Sequence, residues 1–183
     1  LTQGLELAQL LTNSGIGFLH FINEDQETLE LVTWTANALK GCTAVHDAHC
    51  PISEAGIWGD CFRQKRPVVF KDCANYAHKQ GLPEGHAPLQ RLVSVPVIEG
   101  GAVRMMIGVG NKPIDYEDLD IEAVQLIGND LWRIAQRNRA EQQLQQQLVA
   151  LVAINAQLTE TQNQLIQSEK MSSIGLLAAG IAH

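Results

Sequence analysis

Four cysteines and two histidines, Cys42, Cys50, Cys61, Cys73, His46 and His49, fall between residues 42 and 73. Thiols and imidazoles so placed could bind a metal or run redox chemistry. Zinc sites bring their ligands in close pairs, and Cys42-x3-His46 with His49-Cys50 is only a faint echo of that spacing. There is no Cys-x-x-Cys, so no metal site is predicted, and no motif asks for haem on His46 or His49. A buried cysteine more often packs as a small hydrophobe. The other histidine of chemical interest is His183, which follows an apolar stripe of Met171, Ile174, Leu177, Ala178 and Ile181. Such a helix cannot bury its stripe alone and wants a partner helix. The imidazole at its end would be partly exposed beside the resulting bundle.

The elements that position these groups belong to a chain of 183 residues, 45% hydrophobic, with net charge −7. That length fits one domain with an appendage and a real core. The acidic balance argues against a nucleic-acid footprint or a basic membrane surface. No apolar run approaches the ~20 residues needed to span a bilayer, and residues 1–30 lack the basic start and apolar core of a signal peptide. A cytoplasmic location with reduced thiols is expected, with room for a membrane anchor ahead of Leu1.

Residues 3–13 read as a short helix with Leu7, Leu10 and Leu11 on one face, ended by Ser14-Gly15. Ile16–Ile22 and Thr28–Thr35 read as a hairpin, the second strand alternating Leu29, Leu31, Thr33 with Glu30, Val32, Trp34. Residues 37–49 look like a loop. A helix is expected from Ser53, as N-cap, through Cys61 to about Lys65, then a short strand at 67–70. Residues 72–90 make a long loop, of a length that is usually functional inside a compact domain. A second hairpin, 92–98 with 103–110, turns at Glu99-Gly100-Gly101-Ala102, and Pro96 marks an edge or a bulge. This order predicts an α+β fold, an antiparallel sheet flanked by helices.

From Tyr116 there is no proline, and Glu117, Asp118, Asp120 and Glu122 favour a helix start. Leu144, Leu151, Leu158 and Leu165 recur every seven residues, with Leu148, Asn155 and Gln162 at the intervening a positions. That is a two-helix seam whose polar a residues set register and strand number while lowering stability. Residues 116–183 would extend about 100 Å if helical throughout. So long a seam outruns any cover one chain offers, which predicts a homodimer through the C-terminal helix.

Residues 168–183, with their Lys-Met, Ile-Gly, Leu-Ala-Ala-Gly and terminal Ala-His, resemble the start of the dimerisation and phosphoacceptor domain of sensor histidine kinases. The resemblance implies that His183 takes phosphate from ATP with magnesium in a parent kinase and passes it to a response-regulator receiver domain. The acidic residue that usually follows the histidine, the second bundle helix and the ATP-binding domain are not in this sequence. Alone, the fragment is expected to hold no cofactor and to be inactive.

Residues 1–140 in this order look like a GAF domain, a small-molecule sensor common upstream of histidine kinases. The likeness rests on Pro51–Cys61, Gly81–His86 and Gly108–Lys112. Some GAF domains carry a spaced Asn-Lys, Phe, Asp-Glu signature. Asn111-Lys112, Tyr116 and Asp120 fit it, with Tyr in place of Phe and Ile121 in place of Glu. The family's lysine and aspartate form a structural salt bridge, so the match speaks for fold rather than ligand. A GAF pocket would lie between the sheet and the loops 36–62 and 72–91. From residue type its lining would be Trp34, Cys42, His49, Trp58, Cys61, Tyr76, Arg91 and Ser94, aromatic walls with a few polar anchors. The plainer alternative makes Trp34 and Trp58 core and Arg91 a solvated charge. The cysteine context of bilin-binding relatives is not found.

The expected organisation is a sensor over 1–115, a closing helix over 116–140, a coiled coil over 141–167 and a truncated phosphoacceptor helix over 168–183. A small ligand or redox state would be relayed through the coiled coil to His183. The alternatives are a thiol-dependent enzyme like the GAF proteins that reduce free methionine sulfoxide, and a metal or haem redox sensor.

Overall fold

In a computed structural model the described residues are 1–40, 49–73, 75 and 88–181. The chain divides into two compact units, Leu1–Ala135 and Gln136–His183. In the first, six strands form one antiparallel sheet: β1 (Ile16–Ile22), β2 (Thr28–Trp34), β3 (His49–Pro51), β4 (Val68–Phe70), β5 (Leu92–Glu99) and β6 (Ala102–Gly110), in the order β3-β2-β1-β6-β5-β4. The helices are α1 (Thr2–Leu11), α2 (Ala36–Lys40), α3 (Asp60–Gln64) and α4 (Asp118–Ile181). The architecture is the expected α+β sheet with flanking helices and a long C-terminal helix.

The sheet buries both faces. On one, Leu19, Phe21, Val95, Met105, Ile107 and Val109 pack against Leu5 and Ala8 of α1 and Val124, Leu131 and Trp132 of α4. Phe21 meets Trp132 edge-on, with ring centroids 5.8 Å apart. On the other, Ile22, Leu29 and Met106 meet Ile52, Ala55 and Cys61, while Leu92 packs with Ile57, Cys73 and Leu89. Helix α1 lies antiparallel alongside the start of α4. Gly4, near its beginning, sits against Leu131, and Ser14, just past its end, hydrogen-bonds the Tyr116 hydroxyl at 2.8 Å.

Several local expectations change. Helix α1 turns Leu5 and Ala8 inward and leaves Leu7, Leu10 and Leu11 exposed, because one turn selects a single stripe and the sheet takes the narrower one. Strand β2 lacks the one well-buried face that its alternation predicts. Only Leu29 is buried, since its outer neighbour β3 has three residues and a bulge breaks the pairing between Leu19 and His20. The stretch 37–49 is not all loop, as α2 and the start of β3 show.

The helix expected from Ser53 is two 3-10 turns, Ile52–Glu54 and Ile57–Gly59, followed by α3. Arg63 donates to the carbonyls of Ala55 and Gly56 at 2.9 and 2.6 Å, occupying acceptors that a continuous helix would use. Two other expectations hold. Gly100 and Gly101 have φ of 60° and 79°, as a two-residue hairpin turn requires. Pro96 lies where β5 runs past the end of β4, with a bulge after Val97.

Candidate functional site

The site is built on the sheet face opposite α1 and α4. Alternation along β1 places Phe18 and His20 on that face, and Gly108 of β6 makes room for the Phe18 ring, which a methyl group at Gly108 would strike. The 3-10 turn Ile57–Gly59 lays Trp58 over them. Its indole stacks on the His20 imidazole, with centroids 4.9 Å apart and planes 22° apart. Phe18 meets Trp58 edge-on at 6.1 Å and His20 at 5.5 Å. Ser94 of β5 fixes the turn by donating to the Trp58 carbonyl at 2.9 Å, and its hydroxyl also lies 3.0 Å from Cys61 Sγ.

Electrostatics here follow from burial. His20 is 7% exposed, and desolvation pushes its protonation down to about 3. At neutral pH the ring is therefore an uncharged imidazole, and its Nδ1 has no hydrogen-bond partner among the described residues. Burial pushes the Cys61 thiol up to about 12 against the opposing bond from Ser94. Burial and then the Asp72 charge push Cys73 up to about 11. Both stay as thiols at neutral pH, poor nucleophiles and poor metal ligands.

Of the residues singled out in the sequence, Trp58, Cys61 and Ser94 come together. Trp34 is partly buried at the end of β2, opposite Phe18. Arg91 pairs with Asp115 at 3.2 Å and donates to the Lys112 carbonyl at 3.3 Å. With Lys71 the same guanidinium holds the Asp115 carboxyl below its usual range. His49 stands on β3 opposite Glu30, and its side chain is outside the described residues, as are Cys42, His46, Tyr76 and His183. Among the described residues no group of three or more His, Cys, Asp or Glu could hold a metal ion, and no helix is long and apolar enough to cross a membrane.

Sequence reasoning missed His20. The signal was a titratable residue inside the apolar run Ile16–Ile22, two places from Phe18 and from Ile22 and hence on their face.

The signature residues are assembled at the start of α4. Lys112 Nζ lies 2.6 Å from Asp120 Oδ2, and Asp120 also accepts from the Glu117 backbone N–H at 2.8 Å. The Lys112 ammonium is 5.8 Å from the centre of the Tyr116 ring.

The chain is 32% identical over 142 residues to the methyl sulfide methyltransferase-associated sensor of Methanosarcina acetivorans, covering 76% of this chain and 14% of that protein's length. The fold is similar to that of the GAF domain of a phosphoenolpyruvate-protein phosphotransferase from Coxiella burnetii (TM-score 0.63, 13% identity, 77% of this chain and 83% of that one). It is also similar to free methionine-R-sulfoxide reductase from Neisseria meningitidis (TM-score 0.53, 14% identity, 79% and 78%). At such identities the likeness concerns fold alone. A family model described as the GAF domain matches residues 1–136, and this chain belongs to the GAF domain family.

Proposed function

We propose that the chain is the sensing and signalling part of a two-component histidine kinase. Residues 1–135 would take a small molecule on the Trp58 face, and α4 would carry the resulting change toward His183. The observation that carries this reading is the heptad stripe of α4. Leu144, Leu148, Leu151, Leu158 and Leu165 are 50–63% exposed in the single chain. Four leucines at seven-residue spacing, with Leu148 between the first two, need a second helix, and a second copy brings the same stripe. The similarity to a sensor protein of Methanosarcina acetivorans and the phosphoacceptor-like residues 168–183 support the same assignment.

In this reading His183 attacks the γ-phosphate of ATP through a neutral imidazole nitrogen. Magnesium and a separate ATP-binding domain would neutralise and position the phosphates. The parent is then an ATP-dependent protein-histidine kinase, and a response-regulator receiver domain takes the phosphate. Two nearly balanced helix packings are needed for relay, and polar Asn155 and Gln162 in the seam keep their difference small.

Sedimentation at micromolar concentration tests the dimer. The wild-type chain is expected as a dimer and Leu158→Glu as a monomer. A wild-type monomer would remove the reading's basis. ATP with magnesium is expected to leave the mass of the chain unchanged until an ATP-binding domain is supplied.

A further inference from the structure

The His20 imidazole is a polar group on the Trp58 face that the described residues leave unused. Ser94 and Cys61 are satisfied by each other and by the Trp58 carbonyl. His20 has Trp58 stacked on its ring and Phe18 tilted against it, and its buried Nδ1 meets no partner among the described residues. Packing alone would be served better by a phenylalanine, because a buried acceptor left unmade costs stability. The described apolar residues packed on this face include Ile22, Leu29, Ile52, Phe70 and Met106. The Arg63 guanidinium close by is committed to Asp60 and to the Ala55 and Gly56 carbonyls.

On the reading that this face is the sensor's ligand site, we infer that His20 Nδ1 is the ligand's polar anchor. The ligand class is a small, uncharged, largely apolar molecule that offers one N–H or O–H. In the Nε2–H tautomer the imidazole presents Nδ1 as an acceptor aimed along the ring edge. One ring face is covered by Trp58 and Phe18 is tilted against the ring, so the ligand meets His20 at its Nδ1 edge. A formal charge would have to be desolvated against these apolar side chains, which disfavours anionic or cationic ligands.

The test uses the full chain labelled with 15N-histidine and 15N-tryptophan, titrated with phenol, toluene and benzoate. These probes share a ring and differ in having a neutral donor, no polar group, or an anion. Phenol is expected to shift the His20 Nδ1 and Trp58 indole signals and to bind at least tenfold more tightly than toluene or benzoate. In His20→Phe phenol should fall to the level of toluene, and His20→Gln, which keeps an acceptor, should recover part of the difference. Equal binding of phenol and toluene, with Trp58 responding and Nδ1 unmoved, would overturn the anchor while leaving the ligand site standing. A preference for benzoate would overturn the uncharged class. Silence of both His20 and Trp58 toward all three probes would overturn the anchor and the ligand site together.

Discussion

Lys112 Nζ and Asp120 Oδ2 lie 2.6 Å apart with both side chains only 11% exposed. One oxygen of Asp120 thus joins the strand-end lysine to the first turn of α4, where it also accepts the Glu117 N–H. Asp120→Ala leaves Lys112 charged, part-buried and unpaired, and is expected to cost about 3 kcal/mol. Urea unfolding checks this. The double variant Lys112→Met with Asp120→Ala should lose less than the two single changes added together.

His20 makes folding sensitive to acid. Its protonation is pushed down to about 3 in the folded chain, so the unfolded chain binds the extra proton as pH falls below about 6.5. Its contribution to stability is fully present above that pH and declines below it, by about 1.4 kcal/mol per pH unit at most. His20→Phe should therefore lose roughly 2 kcal/mol less than wild type between pH 6.5 and pH 5. Parallel urea titrations at the two pH values measure the difference, and identical losses would contradict a buried neutral imidazole.

Gly108 is needed by Phe18. In Gly108→Ala the new methyl meets the ring, so Phe18 must leave its place and loosen the His20–Trp58 stack. A cost of about 2 kcal/mol is expected from such overpacking. The Trp58 indole resonance should shift with it, more than it does in a Gly101→Asn control in the distant hairpin turn.

Cys61 and Cys73 should resist alkylation. Both thiols are raised by burial, so iodoacetamide at pH 8 should leave these two unlabelled in the folded chain and label them in urea. Peptide mass spectrometry reads the result. Rapid native labelling of Cys61 would reopen thiol chemistry at this site.

In the seam, Asn155→Ile should raise the melting temperature of the helical signal while blurring the number of strands, since a polar a residue trades stability for a defined partner number. Circular dichroism and sedimentation together would show both effects or refute them.

The elements legible in the sequence were those written in local chemistry. The Gly100-Gly101 turn, the Pro96 edge and the acidic start of α4 each carry their cause in one or two residues. The Lys112–Asp120 pair was legible too, through a resemblance that spans eight positions. The inward face of α1 was not, because Leu7, Leu10 and Leu11 form as good a stripe as Leu5 and Ala8 until a sheet chooses between them. The broken helix before α3 depends on Arg63 reaching back to Ala55 and Gly56, a tertiary choice that spacing does not record. The site itself was half legible. Trp58, Cys61 and Ser94 follow from residue type and order, while His20 was hidden in a strand whose apolar neighbours suggested nothing but core.

The hydrogen bond between Ser14 and Tyr116, just past α1 and just before α4, and the seat of Gly4 on Leu131 fasten the first helix of the domain to the start of α4. Anything spliced ahead of Leu1 would therefore bear on the start of α4 without crossing the sheet. On the proposed relay, a torque applied at the amino terminus and a molecule settling beside His20 would reach the start of α4 from opposite faces of the sheet, giving one element two inputs.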